Sequence, residues 1–206
     1  MTWTVGFDLD MTLINSQPGV AKALDTIATE FGLPLQGEQI AARLGPPLPM
    51  LLADAGAPED LIPAMVARYR ELYPTVVPLV PAMPGADAAL AAVRDRGGRV
   101  LVVTGKHEPL AKLHIDELGW HVDDLVGDLW SAGKADALRA HGASIYVGDH
   151  VGDMQGARAA EVHAVGVTTG PCAAAELRAA GADVILTSLT EFPSWLVNYR
   201  TATHLS

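Results

Sequence analysis

The run Val5-Gly6-Phe7-Asp8-Leu9-Asp10-Met11-Thr12-Leu13 sets two carboxylates two residues apart at the end of an apolar, strand-like stretch. A strand sends side chains i and i+2 to the same face, so Asp8 and Asp10 are aimed at one place. There they can share a metal ion, or divide nucleophile and acid work between them. This is equipment for phosphoryl chemistry, in which a carboxylate first takes the phosphoryl group and water then removes it. An isolated Asp-x-Asp is ordinarily a solvated loop or a helix cap. Directly after an apolar strand, and with further motifs downstream, it reads as a site.

Such a site needs a scaffold that brings several strand ends together. Residues 3–9, 99–104, 144–147, 162–167 and 183–186 are short, mostly apolar and rich in β-branched side chains, the mark of strands buried on both faces. Between them, residues 86–96, 108–118, 135–141, 152–160 and 173–180 carry helical patterns, several closed by glycine at Gly97, Gly119, Gly142 and Gly181. Alternating strand and helix predicts an α/β fold with a parallel sheet. Residues 16–81 break the alternation. They hold only helix-like stretches, at 19–31, 50–55 and 61–73, punctuated by Pro46, Pro47 and Pro49 and by a proline-rich return from Pro74 to Pro84. The expected organisation is an α/β core of residues 1–15 and 82–206 with an inserted helical module of residues 16–81. The tail, 192–206, either packs as a last helix or frays, and nothing in it suggests chemistry.

A chain of 206 residues, half of them hydrophobic, can bury one core plus a small appended module. Its formal net charge of −10 argues against nonspecific binding to nucleic acid or to a membrane surface. The same charge repels an anionic substrate unless a local cation corrects the field. The single cysteine, Cys172, excludes an internal disulfide and offers no zinc cluster; it reads as a structural residue. No basic segment followed by an apolar stretch opens the sequence and no run approaches a membrane span, so a cytoplasmic protein is expected.

Three further segments add chemistry. In Val102-Val103-Thr104-Gly105-Lys106, a hydroxyl and the N–H groups after it stand at the carboxyl edge of the sheet, where they can bind phosphate oxygens. Lys106 and His107 follow, as substrate contacts or as exposed loop residues. In Gly133-Lys134, the lysine opens a helix, where its charge opposes the dipole; a neighbouring anion would make sense of it. Val147-Gly148-Asp149-His150-Val151-Gly152-Asp153 ends another apolar run with two more acids. Four acids call for a cation, and an all-oxygen set suits Mg²⁺ better than the zinc that His150 alone would suggest.

In this order, the four motifs resemble those of the haloacid dehalogenase (HAD) superfamily phosphatases, with Asp8-Leu9-Asp10-Met11-Thr12 in the place of the DxDxT signature. The resemblance runs from residue 5 to about 170, and its pattern is nearest the phosphoglycolate phosphatase-like branch. It implies a Rossmann-like core with a C1-type helical cap that closes over the site. It also implies Asp8 as nucleophile, Asp10 as general acid and then base, and Thr12 as support for the loop. Thr104, Gly105 and Lys134 would bind phosphate, and Lys134 would also neutralise Asp8. Mg²⁺ would be held by Asp8, the Asp10 carbonyl and Asp149, with Asp153 binding through water or orienting Lys134. Within the cap, Ala41-Ala42-Arg43-Leu44-Gly45-Pro46 resembles the family's Gly-Pro loop, and Arg43 either recognises an anionic substrate tail or is a solvated helix-end residue.

Two positions depart from the family pattern. Met11 stands where glycine is most frequent, and a methionine adopts positive φ only at a cost. Gly105 stands where Asn or Ser is frequent, so a side-chain donor is lost and a backbone donor kept. The expected activity is Mg²⁺-dependent hydrolysis of a small phosphorylated metabolite. A sugar phosphomutase uses the same residues and remains the alternative. A haloacid dehalogenase does not call for Asp10, and a phosphoacceptor module would not need it either. Monomer and homodimer are both open.

Overall fold

The computed structural model of the protein describes residues 3–203. Six parallel strands form one sheet: β1 (Thr4–Phe7), β2 (Arg99–Val103), β3 (Asp124–Val126), β4 (Ala143–Gly148), β5 (His163–Val167) and β6 (Val184–Leu186), in the spatial order β3-β2-β1-β4-β5-β6. The chain starts in the middle, builds outward through β2 and β3, then returns to the other side of β1 for β4 to β6. This reversal leaves a crevice at the carboxyl ends of β1, β2 and β4, the usual ligand position of a Rossmann-like sheet. Helices cover both faces, so the central strands are apolar throughout: every residue of β1 is buried.

One position in β1 shapes the site from below. Gly6 pairs with Tyr146 of β4. A Cβ on Gly6 would lie 2.8 Å from the Tyr146 ring, so the missing side chain makes room for that ring to lie across the strand. Tyr146 is thereby fully buried.

The helices of the core are α5 (Ala86–Arg94), α6 (Glu108–Glu117), α7 (Lys134–Ala140), α8 (Val151–Ala160) and α9 (Ala174–Ala179), each within a few residues of a stretch with helical pattern, and α10 (Phe192–Thr203) in the tail. The tail packs rather than frays: Phe192 and Leu196 are fully buried, and the Phe192 ring meets Phe7 edge-on at 5.4 Å. Residues 204–206 of that tail lie outside the described residues. No sequence pattern marks β3, whose three residues are only half-buried and too few to show a period.

Between β1 and α5, the chain forms α1 (Gln17–Glu30), α2 (Gly37–Ala41), α3 (Leu48–Asp54) and α4 (Ile62–Leu72), then two 3₁₀ turns at Tyr73–Thr75 and Val77–Leu79. The five residues of α2 are equally silent in the sequence. The prolines fall where helices start: Pro47 precedes α3, and Pro18, Pro49 and Pro63 occupy first turns. These helices bury a cluster of their own, including Leu24, Ile27, Leu52, Met65 and Tyr73. They leave and rejoin the sheet layer side by side, Asn15 N–H donating to Pro81 O at 2.9 Å and Met83 N–H to Leu13 O at 2.8 Å.

Three side chains from the sheet layer, Met11, Met83 and Leu110, complete the cluster of the inserted helices. Met11 shows how its departure from glycine is tolerated. Its φ is +59°, which costs a non-glycine residue about 1–2 kcal/mol. Burying the methionine side chain among the inserted helices returns about 1.5–3 kcal/mol, enough to offset the strain.

Candidate active site

The ends of β1, β2 and β4 and the start of α7 converge on Asp8, Asp10, Thr104, Lys134, Asp149 and Asp153. Asp8 follows β1 directly, its N–H donating to Val147 O of β4 at 2.8 Å, which fixes the strand end. Lys134 is 1% exposed. Its Nζ donates to Asp8 Oδ1 at 3.1 Å, Asp153 Oδ1 at 2.6 Å and the Tyr146 hydroxyl at 2.9 Å. Tyr146 in turn donates to Val103 O at 2.6 Å. The ammonium thus has three fixed acceptors, one of them delivered by the ring that Gly6 admits. Sequence reasoning missed Tyr146; it lies in an apolar strand, and only its register against Gly6 marks it.

Asp149 is buried and accepts from Thr12 Oγ1 at 2.7 Å, so Thr12 ties the loop after β1 to the end of β4. A Cβ on Gly170 would lie 1.7 Å from Asp149 Oδ2, so the backbone of that loop closes tightly over the carboxylate. Asp153 Oδ2 accepts from the His150 N–H at 3.0 Å, while His150 Nδ1 accepts from Gly152 N–H at 3.1 Å, a reciprocal cap on α8. That cap occupies His150 Nδ1, and the compact acidic group beside it is Asp8, Asp149 and Asp153, without His150. The His150 ring also lies 5.0 Å from Trp130.

Asp10 faces a different cation. Lys106 Nζ donates to its Oδ1 at 3.0 Å and Oδ2 at 3.4 Å. Thr104 is buried beside them, its hydroxyl oxygen accepting from Lys106 N–H at 3.2 Å, which leaves the hydroxyl proton to donate. His107 Nδ1 lies 3.0 Å from Asp128 Oδ2 at the rim.

Asp8, Asp10, Thr104 and Gly105 line a cavity of about 60 Å³ that is roofed by the inserted helices through Leu44, Gly45, Leu51, Tyr69 and Arg70. The roof touches the floor closely. Gly45 has φ +143° and its Cβ position lies 2.6 Å from the His150 ring, while a Cβ on Gly105 would lie 3.0 Å from Gly45 O. Gly45 is therefore favoured both by its backbone and by contact between the two layers, and a side chain at Gly105 would fit only tightly. Arg43 is exposed on the turn after α2 and does not line this cavity. Arg70 of α4 does, 3.9 Å from Asp128. Of the two readings of Arg43, its exposed place on the turn after α2 is that of a solvated helix-end residue, and Arg70 is the arginine of the insert that lines the cavity.

The electrostatics set three buried carboxylates against one buried ammonium. Burial pushes the Asp8 pKa up to about 7; Lys134 opposes the rise, and Asp153 and Asp10 add to it. Burial likewise holds Asp149 well above the usual carboxylate range, with the Asp153 and Asp8 charges adding and the Thr12 hydroxyl opposing. Lys134 is disfavoured as a cation by burial, yet Asp153 and Asp8 outweigh that and raise its pKa. At Asp10, burial is outweighed by Lys106, and the carboxyl is held below its ordinary value.

The donor set fits a divalent cation. Oxygens of Asp8, Asp149 and Asp153 lie within 4.8 Å of one another, all three residues are buried, and their negative charge exceeds what Lys134 supplies. Hard, anionic oxygens in a compact group suit Mg²⁺.

This deficit predicts an unusual pH dependence for the metal-free protein. Native Asp8, with a pKa of about 7 against 3.8 unfolded, binds protons that the unfolded chain releases, so stability falls as pH rises from about 4 to about 7. Asp149 acts in the same direction. In chelator, thermal melts should give a lower Tm at pH 8 than at pH 5.5, and millimolar Mg²⁺ should restore most of the loss at pH 8. A Tm that rises with pH over that range in chelator would contradict the charge deficit.

A family model described as haloacid dehalogenase-like hydrolase matches residues 5–158. A phosphoglycolate phosphatase from Caulobacter vibrioides is 30% identical, over 97% of this chain and 92% of its own length. A plasmid-borne phosphoglycolate phosphatase from Cupriavidus necator is 29% identical, over 95% of this chain and 93% of its own. Among solved structures, a haloacid dehalogenase-like family hydrolase from Streptococcus pneumoniae superposes with a TM-score of 0.82 at 24% identity, covering 95% of this chain and 98% of that one. No helix among the described residues is long and apolar enough to cross a membrane.

Proposed function

Because the chain belongs to the haloacid dehalogenase-like hydrolase family, we propose that it is a phosphatase of small phosphorylated metabolites working through a phosphorylated Asp8. The observation that carries this reading is the buried Lys134 ammonium held between Asp8 and Asp153, with Asp8 itself lining the cavity. A buried cation that grips a strand-end carboxylate leaves that carboxylate fixed in direction, with its second oxygen free to attack.

In the first step, Asp8 attacks phosphorus while the Asp10 carboxyl, lining the same cavity, gives its proton to the leaving oxygen. The phosphate dianion brought between them favours the protonated form of Asp10 that this step needs. The Thr104 hydroxyl and the Gly105 N–H hold the non-bridging oxygens, and Lys134 offsets charge that develops on them. In the second step, Asp10 takes a proton from water as that water attacks the phosphoryl group on Asp8. Asp8, the Asp10 backbone carbonyl and Asp149 would hold Mg²⁺, with Asp153 fixing Lys134; the ion supplies positive charge opposite the phosphate oxygens.

The helices of residues 16–81 act as a lid over this chemistry. The lid residues Leu44, Gly45 and Leu51 line the same cavity as Asp8 and Asp10, which supports a short leaving group over a sugar ring. The phosphoglycolate phosphatases among the relatives make a two-carbon ester the first substrate to try.

The direct test is phosphate release across a panel of small phosphate esters, with Mg²⁺ and with EDTA. Release that depends on Mg²⁺ and favours two- and three-carbon esters is expected. Undiminished release in EDTA would remove the metal from the reading, and no release from any ester would remove the phosphatase.

A further inference from the structure

We propose that Lys106 is a positioning residue for Asp10, through which the seating of the inserted helices sets the orientation of that carboxyl group. The proposal rests on the phosphatase reading above. Lys106 belongs to the loop after β2 and Asp10 to the loop after β1, yet the ammonium spans both Asp10 oxygens at 3.0 and 3.4 Å. Both side chains are nearly buried, at 6% and 12% exposure. The other face of the ammonium rests on the Tyr73 ring, 4.3 Å from its centroid.

Tyr73 comes from the insert, in the turn after α4, and is fully buried. Two contacts fix it: its hydroxyl lies 3.1 Å from His114 Nε2 on α6, and its ring lies 5.1 Å from that of Tyr69, which lines the cavity. A continuous line of contact therefore runs from the roof of the cavity to the carboxyl group that must reach the leaving oxygen.

The energetics favour a working pose over an accident. Ordering a lysine side chain costs rotamer freedom, so an exposed loop lysine stays mobile. Here a desolvated cation–π contact and a nearly buried carboxylate together oppose that cost. The grip survives proton transfer, because an ammonium also donates to the carbonyl oxygen of a protonated carboxyl. Without Tyr73 in place the lysine loses one partner, and Asp10 loses the group that limits its rotation. General acid catalysis needs the carboxyl within hydrogen-bond reach of the bridging oxygen, so a small misplacement is expensive in rate.

A test must separate proton donation from packing and from anion binding. Acetyl phosphate has a leaving group that needs no proton, whereas an alkyl phosphate needs one, and both can be chosen without a second anionic group. The reading is kcat/KM, which reports the step up to transfer onto Asp8. Measured with Mg²⁺ on the full chain, Lys106→Met should lose about 10²-fold or more on the alkyl ester that is fastest in the panel, and less than about tenfold on acetyl phosphate. Asp10→Asn should give the same asymmetry. Lys106→Arg should recover part of the alkyl-ester rate. Tyr73→Leu should reproduce the asymmetry in weaker form, while Tyr73→Phe, which keeps the ring face, should hold the wild-type ratio.

Equal losses on both esters in variants that melt cooperatively would overturn the proposal and leave Lys106 a packing or anion-binding residue. If Lys106→Met does not fold, the ratios in Lys106→Arg and in the Tyr73 pair decide the question in the same way. A wild-type protein that releases phosphate from no ester of the panel would instead overturn the phosphatase reading itself.

Discussion

Asp8→Asn will leave a folded protein that releases no measurable phosphate, a loss of about 10⁴-fold or more. The amide has the shape of the carboxylate and lacks the electron pair and charge that attack phosphorus. The fold should survive because the change removes a disfavoured charge: Asp8 is buried and its pKa stands at about 7. Lys134 keeps its shorter bond, to Asp153 Oδ1 at 2.6 Å, and the Tyr146 hydroxyl. Thermal melts alongside phosphate-release assays check both halves. The variant should melt within a few degrees of wild type and should form no acid-trappable phosphoenzyme. Wild-type turnover in a folded Asp8→Asn protein would eliminate the nucleophile.

Lys134→Met should be the most destabilising single change in the site. It removes the ammonium and leaves Asp8, Asp149 and Asp153 buried together without that cation. Breaking a buried ion pair by deleting one partner costs about 3–5 kcal/mol, which in a chain of this size lowers Tm by roughly 10 °C. The sign of the pH effect follows from the same charges. With Lys134 gone, the Asp8 and Asp149 pKa values rise further, the native state takes up more protons, and the loss grows as pH increases from 5 to 8. Mg²⁺ should relieve part of it, and Asp153→Asn in the same chain should relieve part independently. Activity should fall at least ~10²-fold, since the phosphate loses a fixed positive charge. A Lys134→Met protein that melts like wild type in chelator at pH 8 would show that the ammonium does not balance these acids.

Range along the chain separates what the sequence makes legible from what it hides. The strand-helix alternation is legible because each element declares itself within a few residues: the apolar run of β1, the glycines that close α5 to α7 and α9, and the prolines that open α3 and α4. The placing of Asp8, Thr104, Lys134 and Asp149 around one point is legible for a related reason. Each sits at or just beyond a strand end or at a helix start, and a parallel sheet carries its strand ends to a common edge. The elements that escape detection, β3 and α2, are short and, unlike the equally short β6, are not apolar throughout.

What the sequence by itself determined is the class of fold, the set of chemical groups and the order in which the strand ends supply them, because these follow from local pattern and from the geometry of a parallel sheet. Tertiary structure alone decided which side chains hold those groups. Lys106 and Asp10 are 96 positions apart, and Lys134 and Asp8 are 126 apart. Tyr146 reaches Lys134 only because the neighbouring strand has glycine at Gly6, and Arg70 rather than Arg43 faces the cavity because of how the inserted helices rotate against one another. Such contacts depend on packing between elements, and packing is a property of volumes and register that no single segment carries.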